Sequence, residues 1–492
     1  MTKGRTYGTI AALWCGCAAL AMLTGVAGAR ADELQINQQA LDARIDQLAA
    51  TGQNAGTSRP FSIDQNKVAE QPVVAGSFPR SILIPGTDTS IKVYGQVTEI
   101  LDYWLSGGNP NTSPQSTTVG DNGQLQAVPL NAGGGNAEDV NKARSNGIYW
   151  ETPKESKIGF ETRTPTPLGE ARTVIEFDWA GSNGAVPGGS GPTAIADNLV
   201  PRLRYAYGTL GGLLAGQATS NFSDPDANAE TIDFGGNVGE PGKVRVPQIR
   251  WTMPTYWGSS FSVSAETAET QLATAAGIEA SDAGSPVTSP NIAKGTAPTF
   301  TAALYFPEPW GHLDFSTVLL PGIDLTDGHF DKQFIGYGGH VGASYRPGWF
   351  GWARDTFSAH FTAGEAIGTY LNSSSNFQVS TNYETGLAPG SINTKPTDNM
   401  GAMLGYQHWW THNLRSNING GFQSQYNIPI AFVGKKQAGS INKELMSAHA
   451  NIIWNPVSFV DVGFEYTWGQ RTVLDNRTGT QNVFIGKFGF RF

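Results

Sequence analysis

Five arginines, Arg163, Arg172, Arg202, Arg204 and Arg250, fall on stretches where charged and apolar side chains take turns along the chain. In "KIGFETRTPTPLGEARTVIEFDW", Ile158, Phe160, Ile175 and Phe177 alternate with Lys157, Glu161, Arg163, Arg172, Glu176 and Asp178. Guanidinium groups collected on one face offer two-pronged hydrogen bonds to carboxylates. The chemistry available is therefore reversible binding of small anions. Because Glu161, Glu176 and Asp178 share those stretches, a mutually neutralised ladder of charges is the other reading, and the sequence leaves both open.

The elements that must position these groups have a period of two, which is that of a β-strand. From Thr89 to Phe492 the chain resolves into about sixteen such segments, the first at 89–105 and the last at 482–492. Parity places Lys92, Lys157, Arg163, Arg172, Arg202, Arg204, Arg250, Arg415, Lys487 and Arg491 on one face. Opposite them fall Ile158, Phe160, Ile175, Phe177, Leu203, Tyr205 and Trp251. In "FVDVGFEYTWG" Val460, Val462, Phe464, Tyr466 and Trp468 likewise oppose Asp461, Gly463, Glu465 and Thr467. One face suits lipid and the other water, because a charge against lipid at mid-membrane costs about 2–4 kcal/mol.

Connections alternate in length. "PTPL", "LGG", "PTYW", "PEP", "PGWFGW", "THN" and "NPV" are tight, whereas 106–154, 220–245, 269–296 and 365–398 are long. Short turns at one rim and long loops at the other are the layout of an outer-membrane barrel. Sixteen antiparallel strands would bring both ends of the barrel to the short-turn, periplasmic rim. Trp257, Trp310, Trp349, Trp352, Trp409, Trp410 and Trp454 cluster at the tight turns. An aromatic girdle where lipid meets headgroups accounts for that clustering better than an ordinary tryptophan core.

Composition agrees with this reading. The 492 residues include 61 Gly and 28 Pro, with 11% aromatic and only 15% charged residues. Beyond residue 31 no apolar run reaches the length of about 18 that a membrane helix needs. At the start, Lys3 and Arg5 precede an apolar stretch from Thr9 to Leu23 and then Ala29-Arg30-Ala31, the pattern of a cleaved signal peptide over residues 1–31. Both cysteines, Cys15 and Cys17, lie inside it, so disulfides and thiol chemistry are not expected of the exported chain. The formal charge of −9 disfavours nucleic acid as a partner. Leu34, Leu41 and Leu48, with Ile45, set a heptad register over 32–49, which fits a short periplasmic coiled coil or a solvated amphipathic helix. Residues 50–84 read as a linker and 85–492 as the barrel.

The long segment "NFSDPDANAETIDFGGNVGEPGK" carries Asp224, Asp226, Glu230, Asp233 and Glu240. An acidic loop facing a basic wall would set a transverse field that orients dipolar solutes. Their spacing lacks the calcium-loop pattern. His408 and His412 sit four apart at a strand end rather than on a helix, so zinc is not expected. "SINK" at 440–443 and "GYGGHVG" at 336–342 lack the partner motifs that would make them catalytic or phosphate-binding. No enzyme activity and no cofactor are expected.

"ILIPGTDTSIKVYGQV", "SKIGFETRTPTPLGE", "PRLRYAYGTL", "LLAGQATSNFSDPDANAETIDFGG", "VRVPQIRW", "LGYQHWWTHNLRS" and "IIWNPVSFVDVGFEYTWGQR" together resemble the DcaP-like porins, over nearly all of the chain after Ile82. The resemblance implies a sixteen-stranded antiparallel transmembrane β-barrel, a homotrimer with an N-terminal periplasmic coiled coil, and passive passage of small anionic solutes such as dicarboxylates. The other readings are a general porin of little selectivity and a barrel with a structural or adhesive role. Outer-membrane lipid and lipopolysaccharide would surround it. The terminal "NVFIGKFGFRF" resembles the strand by which the outer-membrane assembly machinery recognises its clients, with Lys487 and Arg491 turned from the lipid.

Overall fold

The computed structural model describes residues 74–108, 125, 128, 130, 146–181, 200–241, 245–268, 272–274, 292–326, 328–348, 354–371, 377–382, 389–428 and 441–492. The expected signal peptide, the heptad helix, most of the linker, Trp349 and Trp352 lie outside the described residues.

Sixteen antiparallel staves form the wall among the described residues. They are β1 (Ser90–Ser106), β2 in two pieces (Ile148–Thr152 and Lys157–Thr166), β3 (Gly169–Gly181), β4 (Val200–Leu210), β5 (Leu213–Thr219) and β6 (Arg245–Pro254). Next come β7 (Ser260–Glu266), β8 (Thr299–Glu308), β9 (Gly311–Thr326), β10 (Asp331–Tyr345) and β11 (Thr356–Glu365). The wall ends with β12 (Asp398–Trp409), β13 (Leu414–Tyr426), β14 (Asn442–Trp454), β15 (Val460–Val473) and β16 (Thr478–Arg491). Each stave pairs with its sequence neighbours, and β1 closes the barrel on β16 through Gln96 opposite Arg491 to Trp104 opposite Val483. Closure removes the unpaired edges that an open sheet would present.

Alternation decides which side chains point inward. On β16, Phe484, Phe488, Phe490 and Phe492 are exposed on the outer face while Val483 and Ile485 are buried. On β15, Phe464 and Tyr466 are exposed, and Glu465 and Thr467, which alternate with them, are buried. The sequence parity therefore holds on these staves, and Lys487 and Arg491 turn to the inner side.

Parity fails within β4, at a place that bears on the site. Glu176 faces Tyr205 but Phe177 faces Leu203, so Arg204 is the extra residue of a β-bulge in β4. Beyond the bulge the faces exchange, and Tyr205, expected outside with Leu203, is an inner-face residue packed edge-on to Tyr207 at 6.2 Å. The β4–β5 ladder ends at Ala206 opposite Gln217. Past that point the Gln217 side-chain amide donates to the Leu203 and Arg204 carbonyls at 2.8 and 3.2 Å, satisfying backbone groups that the ladder leaves over.

The tight turns gather at one rim with their aromatic residues. Trp310, Trp410 and Trp454 are exposed there. At the same rim the chain from Ala75 already bonds to the wall: Ala75 bridges Ile82, and Ile82 and Leu83 pair with Ile91 and Ser90. The last ten residues of the expected linker thus belong to the compact unit that runs from Ala75 to Phe492. At the other rim, Leu272–Thr274, Val379–Thr381 and Thr394–Pro396 make a small separate sheet. Its Leu272 and Val379 join Phe222, Ile323, Leu325, Ile367 and Tyr370 in an apolar plug inside the wall.

Candidate functional site

The segment from Ser220 to Pro241 leaves β5 and crosses the inside of the barrel, and its acids and amides tie it to staves far around the wall. Asp224 is buried and meets His312 Nε2 of β9 at 2.7 Å. Asp226 accepts from the Tyr305 hydroxyl of β8 at 3.2 Å. Asn228 Oδ1 lies 2.9 Å from His360 Nε2 of β11. Glu230 takes a two-pronged bond from Arg415 of β13, at 2.6 and 2.5 Å, and a third from Gln407 at 2.8 Å.

Farther along, the Ile232 and Asp233 amides donate to the buried Glu465 carboxylate of β15 at 2.7 and 3.1 Å. Ile232 itself packs with Ile100, Trp104, Trp150, Ile453, Val483 and Ile485. The buried Asp233 carboxylate turns back to the Gly235 amide at 2.7 Å, and the buried Glu240 accepts from Asn237 at 3.0 Å.

Glycine lets the loop seat backbone against backbone. Gly239, at φ +80°, lies over Phe422 and Ala402, and a Cβ added at Gly421 would run into the Val238 carbonyl. A side chain at either place would hold the loop off the wall. These five acids thus serve largely as struts toward β8–β15 or as internal loop ties.

On the opposite arc the predicted arginines stand in pairs with wall carboxylates. Glu161 Oε1 accepts from Arg163 Nη2 at 2.8 Å and Arg172 Nε at 2.7 Å. Asp178 takes both prongs of Arg202, at 2.9 and 2.5 Å, and also Arg204 Nη1 at 2.7 Å. Arg204 Nε bonds Glu176 at 2.7 Å. Phe234 of the loop covers this group, with the Arg202 and Arg204 guanidinium carbons 5.7 and 5.6 Å from its ring centre.

The other predicted cations are spread more widely. Lys92 is opposite Glu161 in register and stands 5.6 Å from the centre of the Tyr94 ring. Lys157 faces Asp178 in register. Lys487 lies 4.0 Å from Glu155, and Arg491 pairs with Asp461 at the short-turn rim. Arg250 is inward between the exposed Ile249 and Trp251, with no carboxylate within ion-pair distance among the described residues.

Between the loop and β4 remains a cavity of about 400 Å³. It brings Arg202, Arg204 and Lys487 together with Glu230, Asp233 and Glu240, and adds Glu155 and Arg245, which sequence reasoning missed. Arg245 sits on the outward parity of β6 with Pro247 and Ile249. Its guanidinium nevertheless lies 5.2 Å from the Tyr205 ring centre and lines the cavity. The β4 bulge turns the Tyr205 ring to the side where the Arg245 guanidinium meets it, and no alternation pattern carries a signal for that meeting.

A closed barrel, apolar outside and charged inside, narrowed by an inward loop that leaves a cavity beside arginines, has the build of a membrane channel. The chain belongs to the family described as the porin subfamily, whose model matches residues 82–470. It is therefore an outer-membrane porin.

Among solved structures, the outer membrane channel DcaP of Acinetobacter baumannii matches at 21% identity and a TM-score of 0.61, over 85% of this chain and 100% of that one. The anion-selective porin of Comamonas acidovorans matches at 9% identity and a TM-score of 0.46, over 82% and 100% of the two chains. OprB of Pseudomonas putida matches at 10% identity and a TM-score of 0.47, over 82% and 94%. Comparison with curated protein sequences gives no match.

Proposed function

We propose that the barrel is a passive diffusion channel favouring small anions such as dicarboxylates. The observation that carries this reading is vertical layering of charge. The Arg202 side chain is 35% exposed above an Asp178 side chain that is 0% exposed. Asp233, Glu240 and Glu155 are likewise buried. A solute that approaches the Arg202–Asp178 pair meets the guanidinium first, while Glu230, already held by Arg415, is the one carboxylate of the cavity whose side chain is comparably open. At close range the nearer charge dominates, because both are partly screened by the water between.

The reading extends to assembly and placement. The chain is exported by a cleaved signal peptide and works as a homotrimer among outer-membrane lipid and lipopolysaccharide. Both ends of the barrel are periplasmic, with a coiled coil over 32–49. Its terminal aromatic strand engages the assembly machinery. The exposed outer-face aromatics of β16 and the tryptophans of the tight-turn rim support that orientation.

A second reading, a general porin of little selectivity, is favoured by one observation: Arg163, Arg172, Arg202 and Arg204 all contact carboxylates. The reversal potential of the purified protein in planar bilayers under a KCl gradient separates the two. Anion preference together with block by succinate supports the first. A potential near zero without block supports the second, and cation preference defeats the anion reading. Heat-dependent mobility in detergent gels tests the trimer.

A further inference from the structure

The cavity beside β4 holds three arginines in unequal states. Two of them are engaged. Arg202 gives Nε and Nη2 to Asp178, Arg204 gives Nε to Glu176 and Nη1 to Asp178, and Phe234 covers both guanidinium planes. Their charge is matched within the wall, and the edge that would clasp a carboxylate is already occupied.

Arg245 differs. Among the described residues no carboxylate lies within ion-pair distance of it, and its buried Nε has no hydrogen-bond partner. Its guanidinium carbon lies 5.2 Å from the centre of the Tyr205 ring, within cation–π range. Tyr205 is itself held by the bulge and by its hydroxyl, 3.3 Å from Thr219 Oγ1 on the neighbouring stave. A cation that is oriented by an aromatic face, lines a cavity and keeps a donor edge unspent is arranged to receive an oxyanion.

We infer that Arg245 is the residue that grips the carboxylate of a passing solute, while Arg202 and Arg204 hold Asp178 and Glu176 down in the wall. This assignment deepens the anion reading above and rests on it. It makes the ligand class a small carboxylate, bound by the part of the Arg245 guanidinium that lines the cavity. Selectivity then depends on the β4 bulge, because without it Tyr205 would face outward and leave Arg245 unsupported.

The test uses the full-length protein in planar bilayers with succinate as the probe. Wild type, Arg245→Gln and Arg245→Lys are compared for reversal potential and for the succinate concentration that halves the current. Arg245→Gln is expected to raise that concentration about tenfold, the order expected for a lost charge-assisted, two-pronged contact. Arg245→Lys keeps the charge but not the fork. It is expected to hold the wild-type reversal potential while weakening block several-fold, and it serves if the glutamine variant does not assemble. A wild type blocked by succinate with Arg245→Gln and Arg245→Lys blocked equally well overturns the assignment alone. A wild type that succinate does not block overturns the anion reading and this assignment together.

Discussion

Glu230 and Arg415, 185 residues apart in sequence, meet across the inside of the barrel in a two-pronged ion pair whose contacts are 2.6 and 2.5 Å. Arg415 is also held by Asn455 Oδ1 at 2.5 Å, and its guanidinium lies 5.2 Å from the Trp409 ring centre. The pair therefore fixes the middle of the inward loop to a stave that is itself well braced.

Replacing Arg415 by Ala should release that strut. Its side chain is 10% exposed and that of Glu230 36% exposed, so the loss is expected near 2 kcal/mol, roughly between the values for exposed and buried pairs. The expected outcome is a larger and noisier single-channel conductance with the barrel intact. An unchanged, quiet channel would show that the remaining ties suffice.

Gly421→Ala should produce a similar change without altering any charge. The added Cβ would meet the Val238 carbonyl, a backbone atom that cannot swing aside. Overpacking of this kind costs about 1–3 kcal/mol. Conductance should rise while reversal potential stays near the wild-type value, and a combined shift in both would place the loop closer to the selectivity determinants than proposed.

Asp355, in the turn before β11, is expected to make stability depend on pH. Burial pushes its carboxyl up, but His408, the Trp409 amide and the Tyr406 hydroxyl outweigh burial and leave it below the usual carboxylate range. Their distances are 2.8, 3.0 and 2.8 Å. A depressed value contributes stability that is complete above the ordinary carboxylate value of about 4 and is lost as pH falls through the lower, folded one. Thermal unfolding of Asp355→Asn should therefore fall below wild type at neutral pH, with the gap closing in acid. A gap that persists in acid would mean that the carboxylate charge is not what matters.

The parts that were legible in the sequence are those governed by alternation. A stave with one face in lipid must keep its polar residues on the other, so Phe464 and Glu465, or Phe488 and Lys487, could be sorted by parity alone. The β4 bulge broke that rule locally: one inserted residue sent Tyr205 inside, where Arg245 meets its ring, and nothing in "PRLRYAYGTL" marks Arg204 as the insertion. The destination of the inward loop was equally hidden. Its acids looked like a field opposing the arginines, yet Asp224 and Glu230 are bound to His312 and Arg415, partners distant in sequence whose approach depends on glycines in staves not adjacent to the loop. The three short strands at 272–274, 379–381 and 394–396 are too brief for periodicity to register.

The sign of the channel's selectivity is the most direct consequence of arginines lining the cavity. Under a KCl gradient across a planar bilayer, the purified protein should conduct in discrete steps, with a reversal potential on the chloride side and current reduced by succinate. A reversal potential on the potassium side, with succinate leaving the current unchanged, would contradict it.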